Sequence, residues 1–291
     1  MNNLNVLKAE EFLPATKLEN ITIHPNCIVS SKNFKWKKTV IATANCDSDI
    51  FLHPYLRSLY KQTSQDDFSL VIFDNSFTTK FNSAIYTNYG FENIFFIDNT
   101  CNWFDIKRSR GVIDVPSITP LGYNYYGSRI HCLTIDFLIK YLYKNGVENL
   151  ILTDSDVIFK TNPLGIIDNN YISIGKYEKH LNRLCPYFIY FNLKKINELN
   201  INYYDETRLI GMIPDVEFKY DTGGSFFEDL NKIPNSIKYE DIYKYIDHFG
   251  AGSYAYMAES AGGKDVRTIE NKPQVTYNMI WEWISKNHWF I

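Results

Sequence analysis

A series of short, continuously apolar runs constrains this chain more than any other feature. K-T-V-I-A-T-A (38–44), F-S-L-V-I-F (68–73), N-I-F-F-I (93–97) and V-E-N-L-I-L-T (147–153) lack the apolar–polar alternation of a half-exposed strand. Both faces of such strands must be covered. Helical patterns lie between them. Phe51, Leu52, Tyr55, Leu56 and Leu59 recur at helical spacing over 51–63, with Pro54 placed in the first turn. A short helix is expected around 79–89. Ser128 is expected to cap a helix from Arg129 to Lys144, whose apolar stripe is Ile130, Leu133, Phe137, Leu138, Tyr141 and Leu142, and Asn145-Gly146 ends it. The stretch 99–127 has weak periodicity and reads as a long loop. Strands alternating with helices predict an α/β fold with a mixed, mainly parallel sheet flanked by helices.

The second half is less regular. Y-I-S-I-G-K (171–176) and P-Y-F-I-Y-F-N-L (186–193) read as strands, and a K-K-I-N-E-L helix follows. D-T-G-G-S-F-F-E-D-L (221–230) is a glycine turn leading into a helix, and D-H-F-G-A-G-S-Y (247–254) is a second glycine turn. The expected organisation is an N-terminal extension (1–37) packed on the core, a ligand-binding half (38–160) and an irregular C-terminal half (161–291) of the same domain.

In parallel sheets the ligand crevice lies beyond the carboxyl ends of the strands. Asn45, Asp74 and the pair Asp154/Asp156 all fall just past strand ends. Positions two apart in an extended segment point the same way, so Asp154 and Asp156 are expected side by side. Like charges that close resist desolvation unless a cation or solvent compensates them. The alternatives are a wet turn or a bound cation.

Composition narrows the class. A formal charge of −3 over 291 residues gives no electrostatic footprint for nucleic acid. The five cysteines are scattered, without a C-x-x-C pair, which fits a reducing compartment better than a disulfide framework. The N-terminus lacks a basic segment followed by an apolar core, and no apolar run approaches the roughly 20 residues a bilayer span needs. The expectation is a cytoplasmic protein. Trp281, Trp283 and Trp289 with Lys286 add the alternative of a tail at the cytoplasmic face of the inner membrane.

The blocks V-I-A-T-A-N-C-D-S-D, L-R-S-L-Y-K-Q-T, S-L-V-I-F-D-N-S and L-I-L-T-D-S-D-V-I-F, in that order over residues 38–160, resemble the nucleotide-sugar-dependent glycosyltransferases of the GT-A (Rossmann-like) fold. The last block stands where that family carries its D-x-D element. The resemblance implies transfer of a sugar from a nucleotide diphosphate-sugar, a UDP-sugar first, to a glycan or lipid-linked glycan acceptor in bacterial surface polysaccharide synthesis. It implies Mn²⁺ or Mg²⁺ held by Asp154, Asp156 and His248, the last from an H-x-G-type turn. It implies donor contacts from Thr43, Asn45, Asp74, Arg129 and Asp154, with His131 as an alternative to Arg129. Asp221 is the first candidate for a general base, against Glu228 and Asp229. The rival readings are a nucleotidyltransferase, which normally carries an early glycine-rich, basic phosphate loop absent between residues 38 and 50, and a non-catalytic binding protein.

Overall fold

The structure is a computed structural model that describes residues 4–7, 16–18, 21–23, 27–45, 49–76, 91, 93–99, 120–179, 181–204 and 222–249, with 282, 285 and 286 near the C-terminus. The N-terminal segment forms four short strands: β1 (Leu4–Leu7), β2 (Thr16–Leu18), β3 (Ile21–Ile23) and β4 (Cys27–Ser31). The apolar runs follow as β5 (Thr39–Asn45), β6 (Ser69–Asp74), β7 (Ile94–Asp98) and β8 (Asn149–Asp154). Helix α1 (Asp49–Gln62) follows β5, and α2 (Pro120–Lys144) precedes β8. Then come β9 (Val157–Phe159), β10 (Ser173–Glu178), β11 (Arg183–Asn192), α3 (Leu193–Glu198), α4 (Gly224–Asn231), β12 (Ile237–Tyr239) and β13 (Ile246–His248).

Among the described residues nine strands form one sheet, in the order β1-β4-β7-β6-β5-β8-β11-β10-β12. The central four, β7, β6, β5 and β8, run parallel, while β4 and β11 flank them antiparallel. The sheet is therefore mixed α/β with a parallel centre, as the continuous apolar runs predict. The chain winds outward from β5 through β6 to β7, then returns to place β8 on the other side of β5. In such sheets a reversal of this kind is where the ligand crevice lies, here at the carboxyl ends of β5 and β8.

Strand alternation divides the core in two. Val40, Ala42, Val71, Phe73, Leu150 and Leu152 pack with Leu133, Phe137 and Leu138 of α2. Ile41, Leu70, Ile72 and Ile151 pack with Leu52, Tyr55, Leu56 and Leu59 of α1. No residue of β5, β6 or β8 could slip by one position without sending its apolar set to the wrong layer.

Two boundaries differ from the sequence expectation. Helix α2 begins at Pro120, not after Ser128, so eight residues assigned to the long loop are helical. Proline suits a first helical position, where its missing N–H costs nothing, whereas Gly122 and Gly127 blur the periodicity that would have announced the turn-by-turn continuation. Helix α1 begins at Asp49, which puts Pro54 inside the helix and beyond its first turn. The expected helix around 79–89 and the turn after Phe249 lie outside the described residues.

Among the described residues no helix is long and apolar enough to cross a membrane. Trp281, Trp283 and Trp289 lie outside them.

Leu152 sits fully buried in β8, between α2 and the sheet centre. Leu152→Ala is expected to cost about 2–5 kcal/mol in urea unfolding through lost burial and a residual cavity. A loss below about 1 kcal/mol would contradict this packing.

Candidate metal and donor site

The carboxyl ends of the parallel strands lie level. Asn45 stands opposite Asp74, and Ala44 opposite Asp154. Three polar strand ends thus share one edge of the sheet beside the reversal point.

Asp154 and Asp156 come together by a different route from the one expected. Strand β8 stops at Asp154, and Ser155-Asp156 form a turn into β9, so extended-strand alternation does not align the two acids. Asp156 is instead set by β9, whose Val157, Ile158 and Phe159 are fully buried. Ser58 of α1 pins that strand by accepting a hydrogen bond from the Phe159 N–H at 3.0 Å.

His248 lies at the end of a strand, not in the glycine turn that the sequence suggests. Ile246–His248 pair antiparallel with Val157–Phe159, and His248 stands opposite Val157. That register carries the imidazole to the acids: His248 Nε2 is 3.3 Å from Asp156 Oδ1. The Phe249 N–H donates to the Asp156 carbonyl at 3.1 Å and closes the end of the pair. One ligand atom each from Asp154, Asp156 and His248 lie within 4.8 Å of one another.

His131 of α2 completes the cluster. Its Nε2 faces Asp154 Oδ1 at 3.6 Å, beyond hydrogen-bond reach, and both atoms are buried without a hydrogen-bond partner. Buried polar atoms left unpaired cost stability and call for an explanation. Burial pushes the Asp154 carboxyl above its usual range; His131, His248 and Arg183 oppose the rise, and Asp156 adds to it. Burial works against a charge on His248, yet its hydrogen bond to Asp156 and the nearby carboxylates hold its pKa above the ordinary value. Asp154 is thus perturbed mainly by burial, and His248 by the carboxylates it meets.

The donor set fits a hard divalent cation. Two carboxylates suit Mg²⁺ and Mn²⁺ alike, and the imidazole favours Mn²⁺. Adjacent ligands of an octahedral ion at roughly 2.1 Å lie about 3 Å apart, close to the 3.3 Å between His248 and Asp156. Asp154 Oδ1, which has no hydrogen-bond partner among the described residues, supplies a further donor atom.

The other sequence candidates separate into two groups. Asn45 and Asp74 form a buried network: Asn45 Nδ2 donates to Asp74 Oδ1 at 3.0 Å, and the Ser76 N–H and hydroxyl donate to the same oxygen at 3.0 and 2.5 Å. Thr43 and Asn45 are fully buried and Asp74 nearly so, so these residues shape the edge from below. Arg129 lies on α2 two positions before His131, and Asp221 lies outside the described residues. Glu228 and Asp229 on α4 both pair with Lys232, at 3.5 and 2.9 Å. In the D-T-G-G-S turn, Gly223 has φ +79°, and a Cβ there would sit 2.5 Å from the Tyr203 hydroxyl. That glycine is required by its own backbone and by Tyr203.

Sequence reasoning missed Arg183. It is largely buried on β11, paired with Glu178 at 2.7 Å, and donates to the Thr222 carbonyl at 3.3 Å. Its charge acts on Asp154. A lone arginine in a strand of unknown register carries no signal by itself, and only the pairing of β10 with β11 brings it to the site.

No protein-family model and no curated protein matches the sequence. Similar solved structures include mouse xyloside xylosyltransferase 1 in its apo form (TM-score 0.41, 11% identity, 72% of this chain and 85% of that one). S. aureus TarS residues 1–349 is another (TM-score 0.43, 14% identity, 78% of this chain); this chain spans 65% of its length. A third is the galactosyltransferase LgtC with donor and acceptor sugar analogues (TM-score 0.41, 15% identity, 70% of this chain and 73% of that one). At these TM-scores and identities the likeness carries no argument about activity.

Asp154 has a raised pKa, so its charged form costs folding stability, and the cost grows as pH rises through the shifted value. Asp154→Asn is expected to stabilise the metal-free protein at pH 7 by about 0.5–2 kcal/mol. The gain should vanish below about pH 4, where the carboxyl is protonated in both states. Unfolding curves for the two proteins across that range check the sign.

Proposed function

We propose that this chain is a metal-assisted glycosyltransferase that moves a sugar from a nucleotide diphosphate-sugar, with uracil as the base, to a glycan acceptor. The observation that carries the reading is the convergence of Asp154, Asp156 and His248 at the carboxyl edge of a parallel sheet, with buried polar atoms left unpaired there. The D-x-D resemblance over 38–160 supplies the donor class and, as its most specific extension, a place in bacterial surface polysaccharide synthesis.

Asp154, Asp156 and His248 would hold Mn²⁺ or Mg²⁺, and the ion when bound neutralises charge on the departing diphosphate as a Lewis acid. Asp156 holds its place in the turn through β9 and contacts His248 Nε2 at 3.3 Å. Asp154 faces both the ion site and the edge where a donor would enter, so it is suited to a metal or a ribose hydroxyl. Asp74 and Asn45, locked to each other at the ends of β6 and β5, form a rigid floor for a nucleoside. Arg129, beside His131 on α2, is assigned to donor phosphate. Asp221, next in sequence to the Thr222 that Arg183 holds, is assigned as the base that takes the acceptor hydroxyl proton.

Two measurements test this. Mn²⁺ at about 100 times its dissociation constant should raise the unfolding free energy of the wild type by about 2.7 kcal/mol and should leave Asp156→Ala unchanged. Incubation with Mn²⁺ and a panel of nucleotide sugars should release nucleoside diphosphate from one donor far faster than from the rest. Neither turnover nor nucleotide binding with any donor would overturn the reading and favour a non-catalytic protein.

A further inference from the structure

We propose that Tyr187 is a positioning residue: its ring face, carried into the site by an irregularity in β11, fixes the plane of His248 so that Nε2 is presented beside Asp156. The inference rests on the metal-assisted reading above and goes beyond it by naming what holds the imidazole ligand in place.

The backbone delivers Tyr187 by breaking its own register. Gly175 of β10 stands opposite Ile189 of β11, yet Tyr177 stands opposite Leu184. Between those pairs β10 advances two residues while β11 advances five, so β11 carries three residues more than its partner. Pro186 lies inside the excess, where a missing N–H interrupts no ladder bond. Bulges re-aim side chains, and they concentrate beside functional sites.

The redirected ring meets His248 face to face, with centroids 3.8 Å apart and planes 9° from parallel. This contact matters because the imidazole torsion is an sp³–sp² rotation, broad and without deep wells. Strand β13 fixes the His248 backbone but leaves the ring plane soft. A flat, immobile neighbour is what sets it. Tyr187 is itself immobile: it is buried, its hydroxyl lies 3.0 Å from the Tyr243 hydroxyl, and the Cys185 thiol donates to it at 3.3 Å. Lys176 donates to Tyr243 at 3.1 Å and anchors the far end of the chain. Burial pushes the Tyr187 phenol far up, so a neutral ring is what His248 meets.

The test reads the ligand directly. Mn²⁺ added to the full chain is followed by electron spin-echo spectroscopy for the nitrogen coupling of a bound imidazole, and its affinity is compared with that of Mg²⁺. Wild type and Tyr187→Phe, which keeps the ring face, should show the coupling and bind Mn²⁺ alike. Tyr187→Met and Tyr187→Leu, taken in parallel with melting curves to identify folded protein, should lose it. Their Mn²⁺ affinity should fall about tenfold or more, the scale for loss of a group that orients a ligand, with a smaller fall for Mg²⁺. A folded Met or Leu variant that matches wild type overturns the role of Tyr187 and leaves the metal site standing. Loss of the coupling in Tyr187→Phe overturns it as well, because the hydroxyl chain and not the ring face would then be the cause. A wild type that binds no Mn²⁺ removes the metal reading itself, and the inference falls with it.

Discussion

Three residues of antiparallel pairing hold the candidate site together. Val157–Phe159 and Ile246–His248 form a separate two-stranded sheet, and its register brings the His248 backbone beside the Asp156 turn. A two-stranded ribbon is marginal by itself in water. This one persists because Val157, Ile158, Phe159 and Ile246 are all fully buried, and because Ser58 and Tyr55 of α1 reach it through a hydrogen bond and a ring contact. The ligand geometry is therefore a property of the α1-side core. A disturbance of that packing would reach the site without touching any of its polar atoms.

The rest of the edge is arranged in the opposite way, with polar groups satisfying one another. Asp74 gathers Asn45 and Ser76, while Asn75 bridges Asn99 and Thr134 of α2. Such a network is rigid when complete, and it ties the ends of β5, β6 and β7 to the helix that carries His131. Against that background Asp154 Oδ1 and His131 Nε2 stand out, joined by Thr43 Oγ1 on β5, as buried atoms at this edge without a hydrogen-bond partner. Polar satisfaction in one half of the edge and its absence in the other mark where a ligand is expected.

Much of this was legible in the sequence, for a physical reason. Buried parallel strands must be apolar on both faces, so β5, β6, β7 and β8 announced themselves, and the acids at their ends followed from where such strands stop. His248 was found through its neighbouring glycines although it stands on a strand; three residues of Ile-Asp-His are too short to show a period. Gly122 and Gly127 hid the first turns of α2. Tyr187 and Arg183 could not be placed, because their role depends on how β11 runs against β10, and the offset there is set by tertiary packing. Pro186, in an otherwise apolar strand, was the one local sign of irregularity.

The two acids come together by a geometry other than the one strand alternation suggests. Alternation along a strand would have placed Asp154 and Asp156 on one face at a fixed separation, with nothing to adjust. A turn between them lets each be governed by a different layer. Asp154 follows β8 toward α2 and His131, while Asp156 follows β9 toward α1 and His248. The site is thus assembled from both layers of the protein at the seam where the sheet order reverses. A cation bound there would bridge the two cores, and its affinity would report how well they are docked. The cost of holding carboxylates away from water is offset in part from both sides of that seam: His131, His248 and Arg183 oppose the rise that burial and Asp156 impose on Asp154.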